Sequence, residues 1–311
     1  MTLAPGVHLG VQMADYLAMP AVSASILKAL LEQCSRAAWF ESWLNTDKPR
    51  DDSDAADVGT IAHSMILEGG AGKVAVIDPE NYPSDKGAIP KGWTNNAIRA
   101  ARDAARLAGL IPVLPEDMAQ VNAMVDAIRA FIASLEKTEP AIWAAFQPGG
   151  GDSESVVTWI DGQNIENTPC RIRPDRMSAD RRLIVDLKTT KMSANPAQWK
   201  ADHVGAAFYR RGCKAEFGTE PDYVFLIAEQ HPPHLCSLVG VDPHGMELGR
   251  EKVTYALDVW AQCVKRGQWP AYPNRCVYPE VKPWEESQWQ EQQTGHAYDY
   301  ETMFGGTKNE T

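Results

Sequence analysis

Cys170-Arg-Ile-Arg-Pro-Asp-Arg-Met177 and, five residues further on, Leu183-Ile-Val-Asp-Leu-Lys-Thr-Thr190 decide how this chain is read. Both runs are rich in apolar residues and bounded by polar ones, so both read as strands, and their short separation joins them as a hairpin. Side chains alternate faces along a strand. Leu183, Val185 and Leu187 therefore share one face, and Ile184, Asp186 and Lys188 share the other. A carboxylate and an ammonium inside an otherwise apolar strand are costly to bury without partners. With the first run as hairpin neighbour, Asp175, directly after Pro174, approaches Asp186 across the ladder. Two converging carboxylates make an oxygen-rich site suited to Mg2+. Lys188 beside them can orient an attacking water, help to deprotonate it or stabilise a pentavalent phosphate. A plain Asp–Lys pair near a sheet edge has the same spacing, and spacing alone leaves both readings open.

The surrounding charge points the same way. The net charge of −11 argues, as an average, against a nucleic-acid partner. Between Arg171 and Lys214, however, eleven Lys and Arg stand against four Asp, a window of +7 in a chain that otherwise carries −18. A solvated, ion-paired surface also produces such asymmetry. Its coincidence with the carboxylate–lysine hairpin favours a phosphate-binding face, with Arg173, Arg176 and Lys191 as its contacts. Ser25 and Lys28, near a helix start, offer a second place for a terminal 5′-phosphate, although capping alone also explains Ser23 and Ser25.

A length of 311 residues fits two modest domains or one elaborated one, and 44 % hydrophobic residues support a sizeable core. The first twenty residues have no Lys or Arg before a continuous apolar run, so no secretory signal is expected. No stretch reaches the roughly 18 apolar residues of a membrane span. Six cysteines without a CxxC pair suggest neither zinc nor disulfides, and the expectation is a cytoplasmic protein with reduced thiols. Gly69–Lys73 imitates a phosphate-binding loop, but Leu67 and Val74 stand where that motif needs Gly and Ser or Thr.

The periodicity predicts helices over 21–45, 58–67 (stopped by Gly69-Gly70), 93–108 and 115–136. After Gly149–Gly151, read as a linker, come a strand at 156–160 with a turn at Gly162-Gln-Asn, the hairpin runs, a helix over 203–214, strands over 223–228 and 235–239, and a helix over 246–266. The class is therefore α/β (α+β), in three parts. These are a helical region 1–147, a core 148–280, and a polar tail 281–311, expected to be irregular or packed on a partner.

Several blocks, in order, resemble the PD-(D/E)xK nuclease superfamily and within it the RecE-type exonucleases, exonuclease VIII and its phage relatives. They are PAVSASILKALLEQCSRAAWF, DVGTIAHSMILEG, CRIRPDRM, LIVDLKTT, HVGAAFYRRGC and YVFLIAEQHPP, which together span about 20–270. The resemblance implies a restriction-endonuclease-like core, a mixed central sheet flanked by helices, with the helical region contributing a histidine to the site. It implies Asp175, Asp186 and the Leu187 backbone carbonyl as metal ligands, Lys188 as the catalytic lysine, and His63 as a ligand or close neighbour of the metals. From the residues alone, His63 beside Ile66 and Leu67 reads as a packed core histidine. It further implies two Mg2+ ions per site, with Mn2+ as substitute, and 5′→3′ digestion of linear duplex ends. A ring-shaped homo-oligomer (trimer or tetramer) and a RecT-type single-strand annealing partner are implied as well, with no membrane. Tyr209 matches the family's tyrosine, but Gly205 stands where many relatives carry Gln, leaving Gln198 or His203 to substitute. The spacing of Cys263 and Cys276 does not fit the iron–sulfur cluster of some relatives, so none is expected. An endonuclease of the same fold, or a DNA-end binder whose site has decayed, are the alternatives.

Overall fold

The computed structural model describes residues 4–47, 58–67, 74–84, 86–162 and 167–294. The Gly69-Gly70 stop, the Gly69–Lys73 run and most of the turn after Gly162 fall outside them. In chain order the elements are β1 (Gly6–His8), α1 (Met13–Ala18), α2 (Ala24–Glu32), α3 (Ser35–Glu41), α4 (Val58–Leu67), β2 (Val74–Val76), α5 (Asn96–Leu107), β3 (Ile111–Val113), α6 (Pro115–Ser134) and α7 (Pro140–Ala145). There follow β4 (Gly151–Ser153), β5 (Val156–Asp161), β6 (Thr168–Ile172), β7 (Arg176–Ser178), β8 (Leu183–Thr190), α8 (His203–Phe217), β9 (Asp222–Glu229), β10 (Cys236–Gly240), α9 (Pro243–Arg266) and α10 (Pro283–Thr294).

β8 is the hinge of the architecture. It lies in the middle of a five-stranded sheet of order β10-β9-β8-β7-β4, parallel to β9 and antiparallel to β7. The parallel pairing needs a crossover, and α8 supplies it. The strand alternates as expected. Ile184 enters one core with Phe208, Phe225, Trp260 and helices α2, α8 and α9. Leu183, Val185 and Leu187 enter a second core against α4, α6 and α7. Each such buried aliphatic side chain stabilises the fold by roughly 1.5–3 kcal/mol. Being buried on both faces, the sheet holds its centre rigidly, and with it everything β8 carries. On the first face α8 lies directly on β5, where a Cβ at Gly212 would sit 2.6 Å from the Trp159 ring.

Three expectations change. Residues 21–45 form two helices, because Gln33 and Cys34 leave the helical conformation between them. The run 170–177 is two strands in two sheets: β6 pairs with β5 in the three-stranded sheet β1-β5-β6, and only β7 pairs with β8. Pro174, which lacks an N–H, falls at the break, where the backbone passes from one ladder to the next. The tail is not irregular throughout, since α10 occupies Pro283–Thr294.

By contacts the chain divides into Met1–Ala271 and Tyr272–Thr311. The helical region and most of the core expected at 148–280 therefore belong to one compact unit. Among the described residues no helix is long and apolar enough to cross a membrane.

Candidate active site

The end of β7 sets the site. Its ladder with β8 pairs Arg176 with Val185, so Asp175, one residue outside the strand, stands at the level of Asp186. With no strand partner left at this point, the Leu187 amide donates instead to Asp175 Oδ2 at 2.8 Å. Asp186 is buried on the face predicted for it, and the Tyr223 hydroxyl donates to its Oδ1 at 3.1 Å. Its Oδ2 forms an ion pair with Lys188. Burial, and then repulsion from Asp175, push the Asp186 carboxyl up to about 6 against the opposing pull of Lys188 and Tyr223. Burial would depress the Lys188 ammonium, but Asp186 and Asp175 more than offset it and hold the group above its ordinary range. The Lys188 side chain is 45 % exposed, although its ammonium is paired with the buried carboxylate.

The opposite side of the cluster comes from α4 and from the turn before β5. Ile61 and Ala62 bury the helix in the second core, which leaves His63 half-buried with Nε2 3.0 Å from Asp175 Oδ2. Its Nδ1 lies 3.5 Å from Glu154 Oε1. Burial lowers the imidazole pKa, but the Asp175 hydrogen bond and charge, with Glu154 behind them, raise it overall. Glu154 has a left-handed backbone (φ 54°), and its N–H donates to the Pro174 and Asp175 carbonyls at 3.1 and 3.2 Å. For a residue with a side chain that conformation costs roughly 1 kcal/mol. An ion pair with Arg173 holds the Glu154 carboxylate from the far side, while burial and Asp175 push its pKa up. Nitrogen and oxygen atoms of His63, Glu154 and Asp175 thereby lie within 4.8 Å of one another.

Residues 23–281 match the family described as a PDDEXK-like domain of unknown function (DUF3799). The chain belongs to this family. Comparison with curated proteins gives no match. Among solved structures, a protein from Eubacterium rectale described as a "Putative exonuclease" is similar over 90 % of this chain and 99 % of its own, at a TM-score of 0.50 and 12 % identity. At that identity the likeness speaks for the fold, and the fold agrees with the mixed sheet and flanking helices described above.

In this PDDEXK-like chain the donor set fits a hard divalent cation. His63, Glu154 and Asp175 bring ligand atoms within 4.8 Å of one another, and the buried Asp186 stands across the ladder from Asp175. Oxygen-rich donors with one imidazole suit Mg2+ or Mn2+ rather than a thiolate-seeking metal. Glu154 is the residue that the sequence reading missed. Its only signal is an acidic side chain in the Ser-rich turn between Gly151 and the buried strand, a place that a left-handed Gly or Asn would fill at lower cost.

Of the other expected residues, His63, Asp175, Asp186 and Lys188 converge. Arg173 and Arg176 are occupied internally: Arg173 pairs with Glu154 and donates to the Val11 carbonyl, and Arg176 donates to the Ala145 carbonyl and to Ser153. These contacts fasten the turns around the cluster and engage both guanidinium groups within the protein. Tyr209 is packed edge-on against Tyr223 at 5.8 Å, and its hydroxyl donates to the Arg173 carbonyl. Burial drives both tyrosine pKa values well up, so neither serves as a base. Lys191 is exposed just beyond β8. Ser23 sits at the N-cap of α2 without a capping side-chain bond and instead meets Ser25 at 2.9 Å. Lys28 binds Asp202 at 2.8 Å, and Asp202 in turn accepts the Gly205 amide at 2.8 Å. A Cβ at 205 would lie 2.5 Å from that carboxylate, so Asp202 and Lys28 occupy the room a Gln at this position would take. Gln198 is exposed, and His203 is engaged with Lys252 at 3.0 Å.

Proposed function

We propose that the protein is a metal-dependent 5′→3′ exodeoxyribonuclease. It degrades one strand of linear duplex DNA from its ends and leaves 3′ overhangs for recombination by strand annealing. The observation that carries the nuclease reading is the placement of Asp175 level with the buried Asp186 and its ion-paired Lys188, with His63 and Glu154 on the other side of Asp175. Asp175, Asp186, Glu154 and His63 would hold the divalent cations, two per site. The Leu187 carbonyl would join them, since it shares the strand edge from which its amide reaches Asp175. Bound Mg2+ lowers the pKa of a coordinated water and neutralises charge on the leaving oxygen.

The protein's own groups do the rest. Lys188, held protonated by its two carboxylates, donates to the attacked phosphate or positions the water and offsets developing charge rather than removing a proton. The His63 imidazole keeps Asp175 oriented. Exposed Lys191, and Ser25 with Lys28 at the start of α2, would meet backbone phosphates. The RecE-like order of motifs and the description of the Eubacterium rectale protein support exonuclease over endonuclease action. The RecE-like order of motifs also supports a trimeric or tetrameric ring that encloses DNA in the bacterial cytoplasm, working with a RecT-type annealing protein.

The test is digestion of 5′- and 3′-labelled linear duplex beside closed circular DNA in Mg2+. Mononucleotide released first from the 5′ label, with the circle intact, is expected. A cut circle moves the reading to an endonuclease, and no cleavage by a protein that binds ends moves it to a decayed end-binder.

A further inference from the structure

The far end of β8 carries a feature that the cluster does not use. Immediately after Thr190, residues Lys191, Met192 and Ser193 are all exposed, and Met192 is 77 % exposed. A single exposed methionine is ordinary. This one sits in a turn that hydrogen bonds to buried groups fix at both ends. On the near side the Gln230 amide donates to the Thr190 carbonyl at 2.8 Å, the Gln230 side chain donates to Thr189 at 3.1 Å, and the Met192 amide closes on the Thr190 hydroxyl at 2.9 Å. On the far side Ala194 is buried. Its N–H donates to the buried Glu229 carboxylate at 2.8 Å, and its carbonyl accepts from Ser237. The Glu229 carboxylate, which also faces His231 at 3.7 Å, thus ties the loop to the end of β9, and a buried carboxylate so engaged holds its partners firmly. The clamp presents a short turn with an apolar tip and a lysine, four residues past Lys188 and so within about 14 Å of it along the chain.

The catalytic carboxylates lie below the surface: the side chains of Asp175 and Asp186 are only 14 % and 8 % exposed. A scissile phosphate must leave the envelope of a paired duplex to reach them. We propose that the Lys191–Ser193 turn is a duplex-end subsite. Met192 stacks against and parts the terminal base pair as the scissile strand enters, and Lys191 steadies the adjacent phosphate. Apolar wedges at base steps unstack DNA at a cost of a few kcal/mol per step, and a tip clamped in advance loses little entropy in doing so. The subsite rests on the nuclease reading of the Asp175–Asp186–Lys188 site.

The experiment keeps the two apart. The full-length protein is mixed, with Ca2+ in place of Mg2+, with a blunt duplex carrying 2-aminopurine in its terminal pair, and binding is followed separately by anisotropy. Wild type brightens the probe on binding. Met192→Ser binds with about tenfold less brightening, and Met192→Leu, which keeps an apolar tip, restores it. In Mg2+ the ratio of blunt-end to mismatched-end cleavage falls about tenfold in Met192→Ser. Met192 is solvent-exposed, so neither variant threatens folding. Equal brightening by Met192→Ser and wild type overturns the subsite, as does end binding by wild type without brightening, or no end binding at all. Brightening lost in Met192→Ser, in a protein that cuts no DNA, keeps the subsite and sinks the nuclease reading instead.

Discussion

Asp186 with Lys188 on one side of the cluster, and His63 with Glu154 on the other, are held in place by different kinds of structure. The first pair rides on a central strand whose neighbours on both faces are buried, so its geometry follows from ladder register and packing. The second pair comes from a helix and a turn, and Glu154 is kept there by a left-handed backbone and an ion pair with Arg173. Strand-borne groups are rigid because the whole sheet must move for them to move. The turn-borne carboxylate is placed against its own conformational preference, which is expected where position matters more than local stability. Function should therefore fail abruptly on the strand side and by degrees on the turn side.

The largest effect belongs to Lys188→Ala. Its side chain is 45 % exposed, so little packing is lost, and if Lys188 stabilises the attacked phosphate as proposed, its loss should lower the rate of DNA hydrolysis by about 10³-fold. Rates on end-labelled duplex at saturating Mg2+ check this; near-wild-type activity would remove the strand side from the chemistry. Glu154→Gln should act less severely, weakening Mn2+ binding by roughly 10- to 100-fold as measured by isothermal titration, with the rate largely recovered at high metal. An unchanged Mn2+ affinity would make Glu154 a partner of Arg173 and nothing more.

A smaller effect separates the sides without any catalysis. Asp186 is destabilising when charged in the metal-free protein, because burial and Asp175 raise its carboxyl to about 6 from 3.8. Between those values the folded state binds a proton that the unfolded state has lost, so stability falls as pH rises through that window. Above it, Asp186→Asn should raise the melting stability of the metal-free protein by on the order of 1 kcal/mol. The gain should vanish by about pH 4. Melts in EDTA at the two pH values test this, and a gain that is constant with pH would assign it to something other than the carboxylate charge.

The same contrast explains what the sequence disclosed. Alternation along 183–188 sorted Asp186 and Lys188 from Leu183, Val185 and Leu187 correctly, because a two-sided buried strand leaves no other arrangement. Asp175 was legible through its proline and its distance from Asp186. The run 170–177 was misread as one strand because apolar alternation does not say which sheet a residue joins. Only Pro174 hinted at the switch. Glu154 was invisible because nothing periodic marks a single left-handed residue in a turn. Arg173 and Arg176 looked like phosphate contacts because counting charge in a window cannot tell an exposed cation from one already paired inside.

The smallest effect concerns Lys28 and Asp202, which border the strand side from α2 and the start of α8. Both side chains are about one-third exposed, so the pair is screened, and Lys28→Met should cost under about 1 kcal/mol, less still in high salt. Burial would raise the Asp202 pKa, but Lys28 and the Gly205 amide bring it below the ordinary value. What stability the pair adds is therefore present at neutral pH and lost as pH falls through the carboxylate range. A purely structural pair would leave DNA selection untouched. If Lys28 also meets a terminal phosphate, Lys28→Met should reduce the preference for a 5′-phosphorylated over a 5′-hydroxyl end by more than its small effect on melting accounts for. Because Asp202 occupies the space next to Gly205, Gly205→Gln cannot regain a family-like contact without displacing that carboxylate. It should therefore release Lys28 and mimic Lys28→Met in the same end-preference assay, and a Gly205→Gln protein with wild-type preference would detach Lys28 from the DNA end.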